Sequence, residues 1–206
     1  MSTHSKNILL ISSSPNPESN SRALALTLAQ GLAQDRGSVT IRDLGANPPP
    51  HLDQATIGAF YTPPADRTPE QQAKIALSEE LVDELFAADE IVIAAPMHNF
   101  GISSLLKVWL DHIARFGRTF EPTGQGPKGL VTDRPVHVVT TRGGVYGPGT
   151  DFNFLDHLEP YLRRVLNFVG LEDIRFIYAE GTAKGTDGIE AAKAEIAEQI
   201  DAAKAA

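Results

Sequence analysis

The run Ile8-Leu9-Leu10-Ile11 stops at Ser12-Ser13-Ser14-Pro15, and the reading of the whole chain starts from that junction. Four consecutive apolar residues leave no polar face. A strand built from them is buried on both sides, as strands of parallel sheets are. A helical pattern follows at once. Ala23-Leu24-Ala25-Leu26-Thr27-Leu28-Ala29 opens a helix expected to end near Arg36-Gly37.

Further along, Ser38-Val39-Thr40-Ile41-Arg42 alternates and reads as a second strand, nearer an edge. Asn47-Pro48-Pro49-Pro50 breaks any helix, and a polar, Pro-containing stretch runs on to Thr68-Pro69. Thr68 caps a helix whose first position is Pro69, with apolar contacts expected at Ile75, Leu81, Val82, Leu85 and Phe86. Ile91-Val92-Ile93-Ala94-Ala95 is the most apolar run and reads as the central strand. Val136 to Thr140 and Ile174 to Tyr178 supply two more strands, followed by helices from about Asn153 to Val169 and Gly188 to Ala203.

Five strands with intervening helices predict an α/β fold, a doubly wound parallel sheet. Residues 1–206 read as one domain, with no internal repeat and no low-complexity tract; the Pro-rich segment 45–69 is an excursion within it. In such sheets ligands bind outside the carboxyl ends of the strands, where strand order reverses. The loops after strands one, three and four therefore carry the functional reading.

Composition removes several classes. Acidic side chains outnumber basic ones by 26 to 18, for a formal charge of -8, and a nucleic-acid binder needs a basic face. The chain has no cysteine, which excludes disulfides, thiolate catalysis, Fe–S clusters and cysteine-type zinc sites. The polar start Met1 to Asn7 carries no secretory pattern, and no apolar run reaches the roughly 20 residues of a membrane span. A cytoplasmic protein with no membrane partner is expected.

The first loop, Ser12 to Arg22, offers small hydroxyls and backbone N–H groups at a helix N-terminus, which is an anion site. It has neither the glycine fingerprint of a dinucleotide site nor the Gly-Lys-Ser/Thr of a triphosphate site, so a monophosphate is expected. The second loop, Ala95-Pro96-Met97-His98-Asn99-Phe100-Gly101-Ile102-Ser103, combines apolar surface with an amide, which suits a flat heteroaromatic ring with a polar rim. In the third, Thr140-Thr141-Arg142-Gly143-Gly144-Val145-Tyr146-Gly147-Pro148-Gly149, paired glycines let the backbone approach a ligand closely.

Other chemistries find no support. His4, His51, His98, His112, His137 and His157 form no i,i+4 pair and no carboxylate cluster, so no metal is expected. His137 reads as a satisfied sheet residue and His112 as a packing or hydrogen-bonding one. The nucleophile-elbow pattern Gly-x-Ser-x-Gly does not occur.

Taken together, the three loops resemble the bacterial azoreductase family of FMN-dependent NADH:azoreductases and quinone reductases, within the flavodoxin-like superfamily. The resemblance spans nearly the whole chain. It rests on Ser14-Pro15 with Ser19-Asn20-Ser21-Arg22, on Pro96-Met97-His98-Asn99-Phe100, on Leu110-Asp111-His112-Ile113, and on Phe120 with Gly126-Pro127-Lys128-Gly129-Leu130. Thr141-Arg142-Gly143-Gly144, Glu159-Pro160-Tyr161-Leu162, Phe168-Val169-Gly170 and Ile177-Tyr178-Ala179-Glu180-Gly181 complete it. His98 departs from the family's usual Tyr or other aromatic, and Thr141 from its common Ser, which keeps the hydroxyl.

The resemblance implies a flavodoxin-like five-stranded sheet of order 2-1-3-4-5 with helices on both faces, and one FMN per subunit. Ser14, Ser19, Asn20 and Ser21 hold the phosphate in this reading. Pro96, Met97, His98, Asn99 and Phe100 flank the isoalloxazine and ribityl chain, and Thr141, Arg142, Gly143 and Gly144 line a ring edge. Asn99, Phe120 and Tyr146 face the acceptor, with Phe120 an aromatic wall near the boundary of a homodimer. The implied activity is a ping-pong, two-electron reduction of quinones and azo compounds, nitroaromatics among the possible acceptors, with NADH or NADPH as donor. No side chain is an obligatory acid or base, because the cofactor carries the chemistry. The alternative is a flavodoxin-type electron carrier without its own small-molecule substrate; a flavin-free sensor domain is a third reading.

Overall fold

The computed structural model describes residues 5–34 and 37–205. Thirteen elements follow one another: β1 (Asn7–Ser12), α1 (Asn20–Ala33), β2 (Ser38–Asp43), α2 (Gln54–Tyr61), α3 (Pro69–Ala87), β3 (Glu90–Ala94), α4 (Ser104–Ile113), β4 (Phe120–Thr123), β5 (Gly126–Gly129), β6 (Val136–Thr141), α5 (Leu158–Val169), β7 (Ile174–Ala179) and α6 (Asp187–Ala205). The five-stranded sheet has the order β2-β1-β3-β6-β7, and every pair in it is parallel. Counting only these strands, the order is 2-1-3-4-5. The switch point lies between β1 and β3.

Continuous apolar runs form the central strands because each has helices on both sides. Successive side chains alternate across a strand. Ile8 and Leu10 of β1, with Val92 and Ala94 of β3, pack under α1 and α6. Leu9 and Ile11, with Ile91 and Ile93, pack under α3, α4 and α5, where Trp109 is fully buried. β2 lies at the sheet edge, and its Ile41 is 47% exposed.

Local chemistry sets the helix ends. Thr68 and Gln71 form a capping box at the start of α3, with Pro69 at the first position. Gly170 ends α5 at φ 111, a left-handed backbone that suits glycine. α1 stops at Ala33 and is followed by Gln34; of the expected end at Arg36-Gly37, Arg36 lies outside the described residues, as do Met1 to His4.

The structure corrects several expectations. The helix expected from about Asn153 to Val169, α5, starts at Leu158 instead. Asn153–Leu155 is a 3-10 turn, and the Asp156 carboxylate caps the helix by accepting from the amides of Leu158 and Glu159 at 2.9 and 3.1 Å. The excursion contains α2, capped by Asp53, whose Ala59 and Phe60 pack on Ile75 of α3. Phe86 is 38% exposed and lies outside the core. Phe120 begins a small antiparallel hairpin, β4–β5, that the sequence pattern did not suggest.

Candidate functional site

The carboxyl ends of β1, β3 and β6 are adjacent in the sheet, so the three loops that follow them emerge side by side. Ser13 fixes the base of the first loop. Its Oγ donates to the Ala94 carbonyl at 2.7 Å, and its own carbonyl accepts from Ser103 Oγ at 2.9 Å. Ser14 Oγ accepts from the Asn16 amide, and Ser19 caps α1 by accepting from the Arg22 amide. Ser21 is buried, its Oγ 3.3 Å from Ser19 Oγ. The amides of Ser14, Asn20 and Ser21 have no partner among the described residues. Free donors at the positive end of a fourteen-residue helix make a cradle for an anion. Arg22 is not part of it, because its guanidinium is paired with Asp43.

The second loop is anchored at its base and strained at its tip. Pro96 is buried, and the Met97 amide donates to the Thr141 carbonyl at 2.9 Å, tying this loop to the third. His98 and Gly101 exchange two backbone hydrogen bonds, at 2.9 and 3.0 Å, around the two-residue turn Asn99-Phe100. Both turn residues have left-handed backbones, with φ of 48° and 68°. That is the pairing of a type I′ turn, ordinarily served by Asn and Gly. A phenylalanine there is a local strain of about 1–2 kcal/mol. The turn holds the side chains of His98, Asn99 and Phe100 out of the core, and all three residues are exposed.

Backbone hydrogen bonds pin the third loop to the segment after β7. The carbonyls of Arg142, Gly143 and Gly144 accept from the amides of Thr182, Ala183 and Gly181, at 3.1, 3.2 and 2.9 Å. The amides of Gly143 and Gly144 have no partner among the described residues. Tyr146 lies against Gly144 so closely that a Cβ at Gly144 would sit 2.6 Å from its hydroxyl. The Tyr146 amide donates to Glu180 Oε1 at 2.7 Å.

The remaining residues singled out in the sequence divide. Thr141 ends β6, half-buried beside the loops. The Arg142 side chain turns inward. Nη2 donates to Asp156 Oδ2 at 2.8 Å, Nη1 to Glu180 Oε1 at 3.2 Å, and the guanidinium lies 4.9 Å from the Tyr178 ring centroid. Burial, then the hydrogen bond to Glu159, push the Tyr178 hydroxyl above the ordinary phenol range. Phe120 sits on the hairpin, its ring 4.4 Å from Phe168 and 6.2 Å from Phe116, and makes its ring contacts away from the three loops. Sequence reasoning missed a cleft of about 510 Å³ lined by Phe60, Tyr61, Arg67, Glu79, Phe116 and Arg118. Asp53, spaced three residues before Thr56, was the available signal for the helix that forms its wall. His112 Nε2 donates to the Pro50 carbonyl at 2.9 Å, and His137 Nδ1 lies 3.0 Å from Gln199 Oε1.

Free amides at α1 and at Gly143-Gly144, with apolar surface on the second loop between them, suit a ligand with an anionic end and a flat, acceptor-edged ring. Comparison with known proteins agrees in kind. Residues 6–204 match the family described as having the flavodoxin-like fold, and the chain belongs to that family. Among its relatives are two proteins named FMN-dependent NADH:quinone oxidoreductase. That of Rhizobium johnstonii is 48% identical over 201 residues, covering 96% of this chain and 94% of the relative. The second, numbered 2 in Pseudomonas fluorescens, is 44% identical over 200 residues, covering 94% and 98%. The solved FMN-dependent NADH-azoreductase of Bacillus anthracis, a complex with FMN, superposes with a TM-score of 0.85 at 25% identity, covering 96% of this chain and 98% of that one.

Proposed function

We propose that the chain is an FMN-dependent NADH:quinone oxidoreductase that also reduces azo compounds and works in the cytoplasm as a homodimer. The observation that carries this reading is the set of amides at Ser14, Asn20, Ser21, Gly143 and Gly144 with no partner among the described residues, on loops that emerge from adjacent strands at the sheet's carboxyl edge. Relatives at 44–48% identity over nearly their full length are named FMN-dependent NADH:quinone oxidoreductase, and the solved neighbour at 25% identity is an FMN-dependent NADH-azoreductase.

Each loop has a part. Ser14, Ser19, Asn20 and Ser21 bind the phosphate through hydroxyls, amides and the helix N-terminus. Pro96, Met97, His98, Asn99 and Phe100 seat the ring and the ribityl chain, and Thr141 closes the same side. The amides of Gly143 and Gly144 face the ring edge, where donors in a water-poor site favour added negative charge. FMN, when bound, supplies the redox chemistry, taking a hydride from the nicotinamide and passing two electrons to the acceptor. Asn99 and Tyr146 orient the acceptor over the ring. Phe120 reaches the slot of a second copy, which accounts for its distance from the loops of its own chain. The absence of a 2′-phosphate clamp in the sequence favours NADH over NADPH.

The test is reconstitution. The protein is stripped, mixed with FMN, and titrated anaerobically with NADH while the flavin absorbance is followed. Bleaching by NADH, and recovery on adding a quinone or an azo dye, are the expected results. Failure to take up FMN overturns the reading. FMN uptake without reduction by NADH replaces it with the electron-carrier alternative.

A further inference from the structure

Arg142 and Asp156 form the buried hub behind the second and third loops. Neither side chain is more than 2% exposed. Asp156 uses both oxygens: Oδ2 accepts from Arg142 Nη2 at 2.8 Å, and Oδ1 accepts from the first amides of α5. Arg142 in turn reaches Glu180 Oε1, the same oxygen that accepts from the Tyr146 amide. The next residue along, His157, donates its amide to the Phe100 carbonyl at 2.9 Å. One side of the hub thus holds the backbone that carries Gly143, Gly144 and Tyr146, and the other holds the strained turn at Phe100.

We propose that Arg142 and Asp156 are positioning residues for the flavin, resting on the FMN reading above: they touch neither cofactor nor substrate, and fix two ring-facing loops as a single piece. The alternative, plain support of the fold, has weak grounds. A buried ion pair adds little net stability over apolar packing, because desolvation cancels most of its attraction. What such a pair does supply is direction. The guanidinium fork fixes two acceptors at once, one on the residue that caps α5 and one on the segment after β7. Arg142 immediately precedes Gly143 and Gly144, so its side-chain anchors add to the backbone hydrogen bonds that aim those two amides. Loosening the fork weakens contacts to the reduced, more negative ring more than contacts to the oxidised one.

The test uses two variants that conserve charge, Arg142→Lys and Asp156→Glu. Lysine cannot hold both carboxylates with fork geometry, and glutamate moves the carboxylate by one methylene. Three quantities are measured against the parent: FMN affinity by fluorescence titration of the apoprotein, the flavin midpoint potential against a reference dye, and the apoprotein melting temperature. Both variants are expected to bind oxidised FMN at least tenfold more weakly. Reduced FMN is expected to lose a further tenfold, which for a two-electron couple lowers the potential by about 30 mV. A lower melting temperature with parental affinity and potential overturns the inference, since it leaves only a packing role. So does full parental behaviour in both variants. If the parent itself takes up no FMN, the function proposed above fails first, and the two failures are told apart.

Discussion

The ring of Phe100 meets the ring of Tyr146 edge to face, with centroids 5.7 Å apart and planes at 89°. This contact joins the tip of the second loop to the third on the outer side, as the Met97–Thr141 backbone bond joins them at the base. Tyr146 stands there because Gly144 has no side chain to displace it.

Removing either partner of that arrangement has a defined signature. An edge-to-face pair is worth about 0.5–1.5 kcal/mol. Tyr146→Ala is therefore expected to raise the KM for aromatic acceptors by roughly two- to tenfold. Gly144→Ala pushes the same ring away, so the double variant is expected to be no worse than the worse single one. Steady-state kinetics on the four proteins measure this; additive losses refute it.

The left-handed backbone at Phe100 reverses a familiar ranking. Alanine is ordinarily the more stabilising residue when compared with glycine. At φ 68° the order inverts, and Phe100→Gly is expected to be more stable than Phe100→Ala by about 1 kcal/mol. Urea denaturation of the two variants decides the point, and a more stable alanine variant rules out the strain.

Thr68 provides a contrast, because its capping box lies on α3 and outside the three loops. Thr68→Ala is expected to lose about 1 kcal/mol and to lower Tm by about 2–4 °C in a domain of this size. FMN affinity should stay at the parental value. A change in affinity would mean that α3 communicates with the loops.

The strands were legible because burial on two faces leaves a mark in composition. Ile8 to Ile11 and Ile91 to Ala95 have no polar residue to turn outward, and the structure sandwiches both. The start of α5 was not legible, since Phe154 and Leu155 extend the apolar spacing upstream while the Asp156 carboxylate, a side-chain choice, decides where helix begins. The β4–β5 hairpin was hidden by Pro122 and Pro127, residues that strands admit only at edges. The loops that carry the free amides could be found from Ser14, Asn20, Gly143 and Gly144 alone. The direction of Arg142 could not, because its partners lie 14 and 38 residues away and no local pattern announces them.

Acid sensitivity should trace in part to Glu90. Burial raises its carboxyl, but hydrogen bonds from His137 and Lys6 outweigh that and hold it below the ordinary carboxylate range. A carboxyl lowered in the folded state contributes stability that is present above its unfolded value, about 4.3, and is lost as pH falls through the folded value. Glu90→Gln is expected to be less stable than the parent at pH 7, with the difference shrinking below about pH 4. Urea midpoints between pH 3 and pH 7 test this; a gap that does not shrink on acidification removes Glu90 from the account.

That same carboxylate sits at the first residue of β3, with Lys6 just before β1 and His137 near the start of β6, its Nε2 3.4 Å from Glu90. The parallel strands carry it some 15 Å, on the order of five residues of rise, from the loops at their far ends. Mutational libraries aimed at the loops can therefore sample new acceptors without drawing on the ionic cluster, and reinforcement of that cluster offers tolerance to the losses such libraries bring. For an enzyme engineer the molecule has two separately adjustable poles, one for durability and one for substrate range.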